Sequence, residues 1–279
     1  MSVLDDIIEG VREDLEVRRA LLDDAGIAAA AAAAPPARDA FAALGGVRDG
    51  SPAERDTRLR VISEVKRKSP SKGALADIPE PSELARQYEA GGASVISVLT
   101  EQRRFGGSLE DFDAVRAAVE LPLLRKDFTV EAYQIHEARA HGADLVLLIV
   151  AALSDAQLAE FLALTRELGM EALVEAHTED EIDRAVAVGA RIIGVNVRNL
   201  KTLEIDRGTF GRLADRIPAD AVVVAESGVR SVEDVVGYAA DGADAILVGE
   251  ALVKDASPRQ AIASFVEQGS AAKPERVRA

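Results

Sequence analysis

A Gly-Ala pair stands just before a short aliphatic run at four places: Gly92-Ala93, Gly142-Ala143, Gly189-Ala190 and Gly242-Ala243. The intervals between them are 50, 47 and 53 residues. Glycine suits the turn that ends a helix, because it enters the left-handed region without a side-chain clash, and alanine lets the next strand begin close by. Each of the three intervals holds two strand–helix units, and with the unit before the first pair and the one after the last the count is eight, that of a (β/α)₈ barrel. The aliphatic runs agree. Strands are predicted at 60–66, 94–100, 123–126, 144–150, 171–175, 191–197, 221–226 and 243–249, with helical patterns between them. Strands alternating with helices imply a parallel sheet. An open doubly wound sheet is the alternative, but no G-x-G-x-x-G follows the first strand.

Before this α/β region the pattern is different. Val3, Leu4, Ile7, Ile8, Val11, Leu15, Leu21 and Leu22 recur at helical spacing, and no strand signal appears before residue 59. The predicted organisation is an N-terminal helical extension (1–58) packing on the barrel mouth, a catalytic barrel (59–268), and a disordered tail (269–279). Within the extension, 23–38 reads as a flexible stretch and 39–44 as a short helix stopped by Gly45 and Gly46.

Composition narrows the function. Lys and Arg total 33 and Asp and Glu 48, so the net charge is −15. That argues against nucleic acid as the main partner, since phosphate backbones demand a basic footprint. With no Cys, disulfides, thiolate zinc sites and Cys nucleophiles are excluded, and only three His give no metal cluster. The apolar run at 28–34 is far too short for a membrane span and ends at Pro35-Pro36. Asp5, Asp6 and Glu9 do not make the cationic start of a secretory signal. The expectation is a cytoplasmic protein, monomeric, with no membrane partner.

Ligands of a parallel barrel sit at the carboxyl ends of its strands, and residues two apart in a strand share a face. If Ile62 points inward, so do Glu64 and Lys66; two charges inside a barrel must be paired or face a ligand. Arg67, Lys68, Ser69, Ser71 and Lys72 follow in the loop, as an anion funnel or as a solvated basic run. Lys126 shares a face with Leu124 and points into the mouth. A Lys near another Lys and away from water has its pKa pushed down, which suits a proton donor or a Schiff-base amine. Glu175, on the face of Leu173, is a candidate base, or a salt-bridge partner of Lys66 or Lys126. Asn196 with Arg198 suits a carboxylate, carbonyl or hydroxyl. Phe105 is placed to stack on a planar substrate or to pack its own loop. The motifs AESG (225–228) and VGEA (248–251) put Gly-bearing loops after the last two strands, where backbone N–H groups can converge on a phosphate. The residues alone therefore imply a phosphorylated anionic substrate and no cofactor.

VISEVKRKSPSKG, TEQRRFGGS, LLRKDF, GADLVLLIVAAL, LVEAH, IGVNVRNLKTLEID, AESGV and DAILVGEALV occur in that order over about 59–255. Together they resemble the indole-3-glycerol phosphate synthase family of tryptophan biosynthesis. Asn199 departs from the family's usual Asp in that motif, with Asn196 and Arg198 intact. The resemblance implies a cofactor-free ring closure of 1-(2-carboxyphenylamino)-1-deoxyribulose 5-phosphate, with loss of carbon dioxide and water. It implies Lys126 as general acid and Glu175 as base or charge stabiliser in dehydration. Lys66 would contact substrate anions or donate a proton, Glu64 orient the lysines, and Asn196 hold the reacting centre. Ser69 and Arg198 would position the substrate and Phe105 and Phe128 clamp its aromatic ring. Ser227, Gly228, Gly249 and Glu250 would line the phosphate end, and Glu226 would be a further substrate-binding residue. Rival readings of the same residues are a Schiff-base aldolase using Lys126 or Lys66, a sugar-phosphate isomerase, and a non-catalytic phosphate-ligand sensor.

Overall fold

The computed structural model describes residues 3–47, 57–70, 72–75, 78–199 and 204–274. Its elements, in chain order, begin with α1 (Val3–Leu21), α2 (Asp24–Ala33) and α3 (Ala40–Ala43). The barrel follows: β1 (Arg60–Val65), the short β2 (Lys68–Ser69) and β3 (Gly73–Ala74), α4 (Pro81–Ala90), β4 (Val95–Leu99), α5 (Leu109–Ala118), β5 (Leu123–Lys126), α6 (Ala132–Ala140) and β6 (Leu145–Ile149). It continues with α7 (Asp155–Glu167), β7 (Glu171–Ala176), α8 (Glu179–Ala187), β8 (Ile192–Asn196), α9 (Thr209–Ala214), β9 (Val222–Glu226), α10 (Val232–Ala240), β10 (Ala245–Val248), α11 (Glu250–Val253) and α12 (Pro258–Ala272). Eight parallel strands close in the order β1-β10-β9-β8-β7-β6-β5-β4, so the (β/α)₈ reading is correct and the open sheet is excluded. All four repeated glycines adopt positive φ, between 73° and 96°.

Strand alternation sorts the aliphatic side chains into two cores. Val61, Val65, Ile96, Val98, Leu123, Val146 and Leu148 face outward against the helices. Ile62, Leu124, Leu145, Leu147, Leu173, Val224 and Leu247 fill the interior. The interior is thus packed in its lower layers, and an inward polar residue must lie near the upper rim.

The extension wraps the barrel end to end. Val3, Leu4 and Ile7 of α1 line the mouth. The segment from Arg38 through α3 instead packs at the opposite end, where strands begin. There the Arg38 backbone N–H donates to Asp144 (2.7 Å), its guanidinium reaches the carbonyls of Val119 and Leu121, and Arg191 lies over the Phe41 ring at 5.1 Å. Only part of the extension packs on the mouth.

Two expectations are corrected. Residues 24–33 of the supposed flexible stretch form α2. Asp23 caps it by accepting from the Gly26 N–H at 2.8 Å, alanine is the strongest helix former, and Ile27 buries against Leu15 and Tyr133. Gly269 does not begin a disordered tail: α12 runs to Ala272, the Ser270 hydroxyl accepts from the Leu59 N–H at 3.0 Å, and Lys273 pairs with Asp244. The last residues of that tail, 275–279, lie outside the described residues, as do 48–50 and Ser71.

Candidate active site

The carboxyl ends of the strands surround a cavity of about 750 Å³. Parity places its charges as the sequence implied. On β1, Glu64 is buried and Lys66, just beyond the strand, pairs with it at 2.6 Å. Glu64 fits because Gly249 stands opposite: a Cβ there would lie 2.5 Å from Glu64 Oε1.

Lys126, at the end of β5, stands among carboxylates. Its Nζ lies 3.4 Å from Glu175 Oε2 and 3.5 Å from Glu226 Oε2. Burial pulls its pKa down, but the carboxylates of Glu175, Glu226 and Glu64 more than reverse this and hold it above the ordinary lysine value. The downward shift expected from sequence is therefore wrong. Lys126 is a firmly protonated ammonium, suited to giving a proton or stabilising an oxyanion and ill suited to forming a Schiff base.

Glu226 is the residue whose location most changes the picture. The expectation makes it a substrate-binding residue; its side chain points into the barrel, nine-tenths or more buried, next to Glu175. Gly194 on β8 makes this possible, since a Cβ there would collide with Glu226 Oε1. Two buried carboxyl groups in hydrogen-bond contact need one proton between them. Burial and the Glu175 charge push Glu226 well above the usual carboxylate range, so it carries that proton. Burial pushes Glu175 up too, but Lys126, His177, Glu226 and Asn196 together bring it below its ordinary value, leaving it ionised.

Asn196 ends β8. Its Oδ1 accepts the Arg198 backbone N–H at 3.0 Å, which turns the amide nitrogen toward Glu175. Arg198 itself is half-buried at the cavity wall, and Ile205 beside it bridges back to it. Ser69, in the β2–β3 ladder, lines the cavity, and its buried hydroxyl finds no partner among the described residues. Phe105 and Phe128 both line the cavity, their ring centroids 6.0 Å apart and tilted 38°.

Beyond β9 and β10 the cavity wall is backbone. Ser227 has φ 68°, the one described non-glycine in the left-handed region, and Gly228 follows at 82°. Such strain persists only when neighbours enforce it. Here the Tyr238 hydroxyl donates to the Ser227 carbonyl (3.2 Å) and Arg207 Nε to the Gly228 carbonyl (2.8 Å). With both carbonyls tied back from behind, the turn is free to present its N–H groups to the cavity. Oε1 of Glu250 accepts from Lys72 and Lys254, which ties the side chain to these two lysines.

Sequence reasoning missed Asp127, which lines the cavity while accepting from Thr100 and Arg125, and Arg230 on the wall beside Gly228. Asp127 sits within LLRKDF, but strand parity assigns it outward.

The indole-3-glycerol phosphate synthase family model matches residues 4–265. This chain belongs to the indole-3-glycerol phosphate synthase family. An indole-3-glycerol phosphate synthase from Paenarthrobacter aurescens is 68% identical over 98% of both chains, and one from an Arthrobacter species 66% identical over 99% of this chain and 100% of its own. A thiamine phosphate pyrophosphorylase from Pyrococcus furiosus shares the fold, with a TM-score of 0.59 over 77% of this chain and 96% of its own, at 16% identity. The family's activity is this chain's: a carbon–carbon lyase of tryptophan biosynthesis. No described helix is long and apolar enough to cross a membrane.

Proposed function

We propose that the cavity carries out the family's ring closure with its own side chains, without a cofactor. The observation that carries this reading is the Lys126 ammonium, held at 3.4 and 3.5 Å between the carboxyl groups of Glu175 and Glu226 at the rim of the barrel. The substrate's aromatic ring lies against Phe105 and Phe128, and its phosphate is held by the backbone N–H groups of Ser227, Gly228, Gly249 and Glu250. Ser69 and Arg198 fix the chain between, so that the ring carbon bearing the carboxylate meets the ketone carbon. Folding the substrate this way removes a large entropic part of the barrier.

As the new carbon–carbon bond forms, the ketone oxygen takes a proton from Lys126. Carbon dioxide then leaves, and its bonding electrons restore the aromatic ring. The hydroxyl departs as water with a proton from Lys66, while Glu175 removes a proton from the substrate to complete the indole. The substrate carboxylate leaves as neutral carbon dioxide, so each turnover consumes one proton. Glu64 holds Lys66 in place, and Asn196 holds Glu175. Glu226, protonated, keeps Glu175 from sharing a second negative charge beside Lys126.

A charged phosphate ester does not cross membranes freely, which supports a cytoplasmic setting. Large exposed apolar side chains are confined to Val17, Leu21 and Leu22 among the described residues, too few for an obligate interface, which supports a monomer. The net charge of −15 supports no role with nucleic acid. The test is direct: incubation with 1-(2-carboxyphenylamino)-1-deoxyribulose 5-phosphate, chelator present and no cofactor added, yields indole fluorescence. Absence of product from folded protein overturns the reading. So does borohydride trapping of the substrate on Lys126, which would favour a Schiff-base mechanism.

A further inference from the structure

Glu175 has two oxygens and a cation on each. Oε2 faces Lys126 across the cavity at 3.4 Å; Oε1 faces His177 Nε2, also at 3.4 Å, from the other side. Lys126 lines the cavity and His177 does not. His177 follows β7 directly, its side chain only 11% exposed, and Nε2 is buried with no hydrogen-bond partner among the described residues besides this ion-pair contact.

The far side of the imidazole is fixed by α8. Glu181 Oε2 accepts the His177 backbone N–H at 2.7 Å and meets ring Nδ1 at 3.2 Å. Glu181 is itself placed by the helix start, where Thr178 caps its N–H. An ionised carboxylate only accepts hydrogen bonds, so a ring with a carboxylate at each nitrogen is best satisfied with both nitrogens protonated. The result is a chain from helix to catalytic carboxylate: Glu181, His177, Glu175.

We propose that His177 is a positioning residue for the ring closure: clamped from behind by Glu181, its imidazolium pins Oε1 of Glu175 and so fixes the direction and the charge of the carboxylate that faces the substrate. This rests on the reading of Glu175 as the base. The charged groups facing the imidazole are Glu175 from its own strand, Glu181 from α8 and Lys126 from β5. Burial and Lys126 oppose protonation of the ring, and the two carboxylates outweigh them, holding His177 above its ordinary value. In turn His177 helps hold Glu175 below its own.

The test is the pH profile of kcat for His177→Gln, which keeps an N–H donor and removes the charge. Without the imidazolium Glu175 is harder to ionise, so the acidic limb of the profile moves upward by about one pH unit, with KM within twofold. Glu181→Gln, a change at the partly exposed helix start, moves the limb the same way by less. It decides the matter alone if circular dichroism shows His177→Gln unfolded. An acidic limb that stays in place in the folded variants overturns the proposal, because loss of packing alone does not retitrate Glu175. Glu175→Gln serves as the reference. If it keeps the parental kcat, the base assignment itself falls; if it is inactive while the limb stays put, only the role of His177 falls.

Discussion

Glu226→Gln separates the stability cost of the site from its catalytic use. In the folded protein Glu226 is buried beside Glu175 and holds its proton well above the ordinary glutamate value of 4.5. In the unfolded chain it ionises near that value. Folding at higher pH therefore takes up a proton, and this contribution weakens stability as pH rises from 4.5 toward the raised value, with no cost below 4.5. Each pH unit between 4.5 and the raised value costs about 1.4 kcal/mol relative to a neutral isostere. The glutamine amide can still donate toward Glu175 and needs no proton. Its Tm is expected to exceed the parent's by about 3–5 °C for each pH unit above 4.5 until the raised value is reached, the gain shrinking toward zero near pH 4.5. Differential scanning calorimetry across pH 4.5 to 8 measures this, and the indole fluorescence assay on the same samples follows kcat, which stays close to the parent's because the neutral amide keeps the role of the protonated carboxyl. A variant no more stable than the parent at pH 7, or a gain independent of pH, refutes the shared-proton account.

Lys126→Ala removes the acid and the counter-charge of Glu175 together; kcat is expected to fall about 10²-fold or more with a smaller change in KM, and turnover within threefold of the parent contradicts the role. Gly194→Ala places a methyl where Glu226 Oε1 lies, so kcat should fall at least about tenfold while the protein stays folded, as read by fluorescence and circular dichroism. An unaffected kcat would show that the Glu226 position is not required. Asp23→Ala removes the cap of α2 and should cost about 1 kcal/mol in chemical denaturation without altering kcat, since α2 lies away from the cavity.

Among these residues, those read correctly from sequence share a physical basis. Parallel strands buried on both faces are aliphatic runs, so the eight strands were visible to within two residues, and the Gly-Ala rhythm set their number. Period-two alternation then put Glu64, Lys66, Lys126 and Glu175 inside without any coordinates, because parity within a strand is local. What failed was non-local. The alanine-rich segment 24–33 lacks a strong apolar stripe, and only Ile27 meeting Leu15 and Tyr133 makes it a docked helix. The segment around Phe41 plugs the far end of the barrel, a contact no local pattern encodes.

The chain by itself determined the closed parallel barrel, the end at which chemistry occurs and the acids and bases that face it, since each follows from residue order along a single strand or loop. Only the closure of the cylinder decided the ionisation of those groups. It brought β5, β7 and β9 around one point, so that Lys126 gained carboxylate neighbours that reverse the effect of burial, and Glu226 met Glu175 over Gly194. Charge state depends on distances between strands far apart in sequence, and those distances exist only once the sheet has closed.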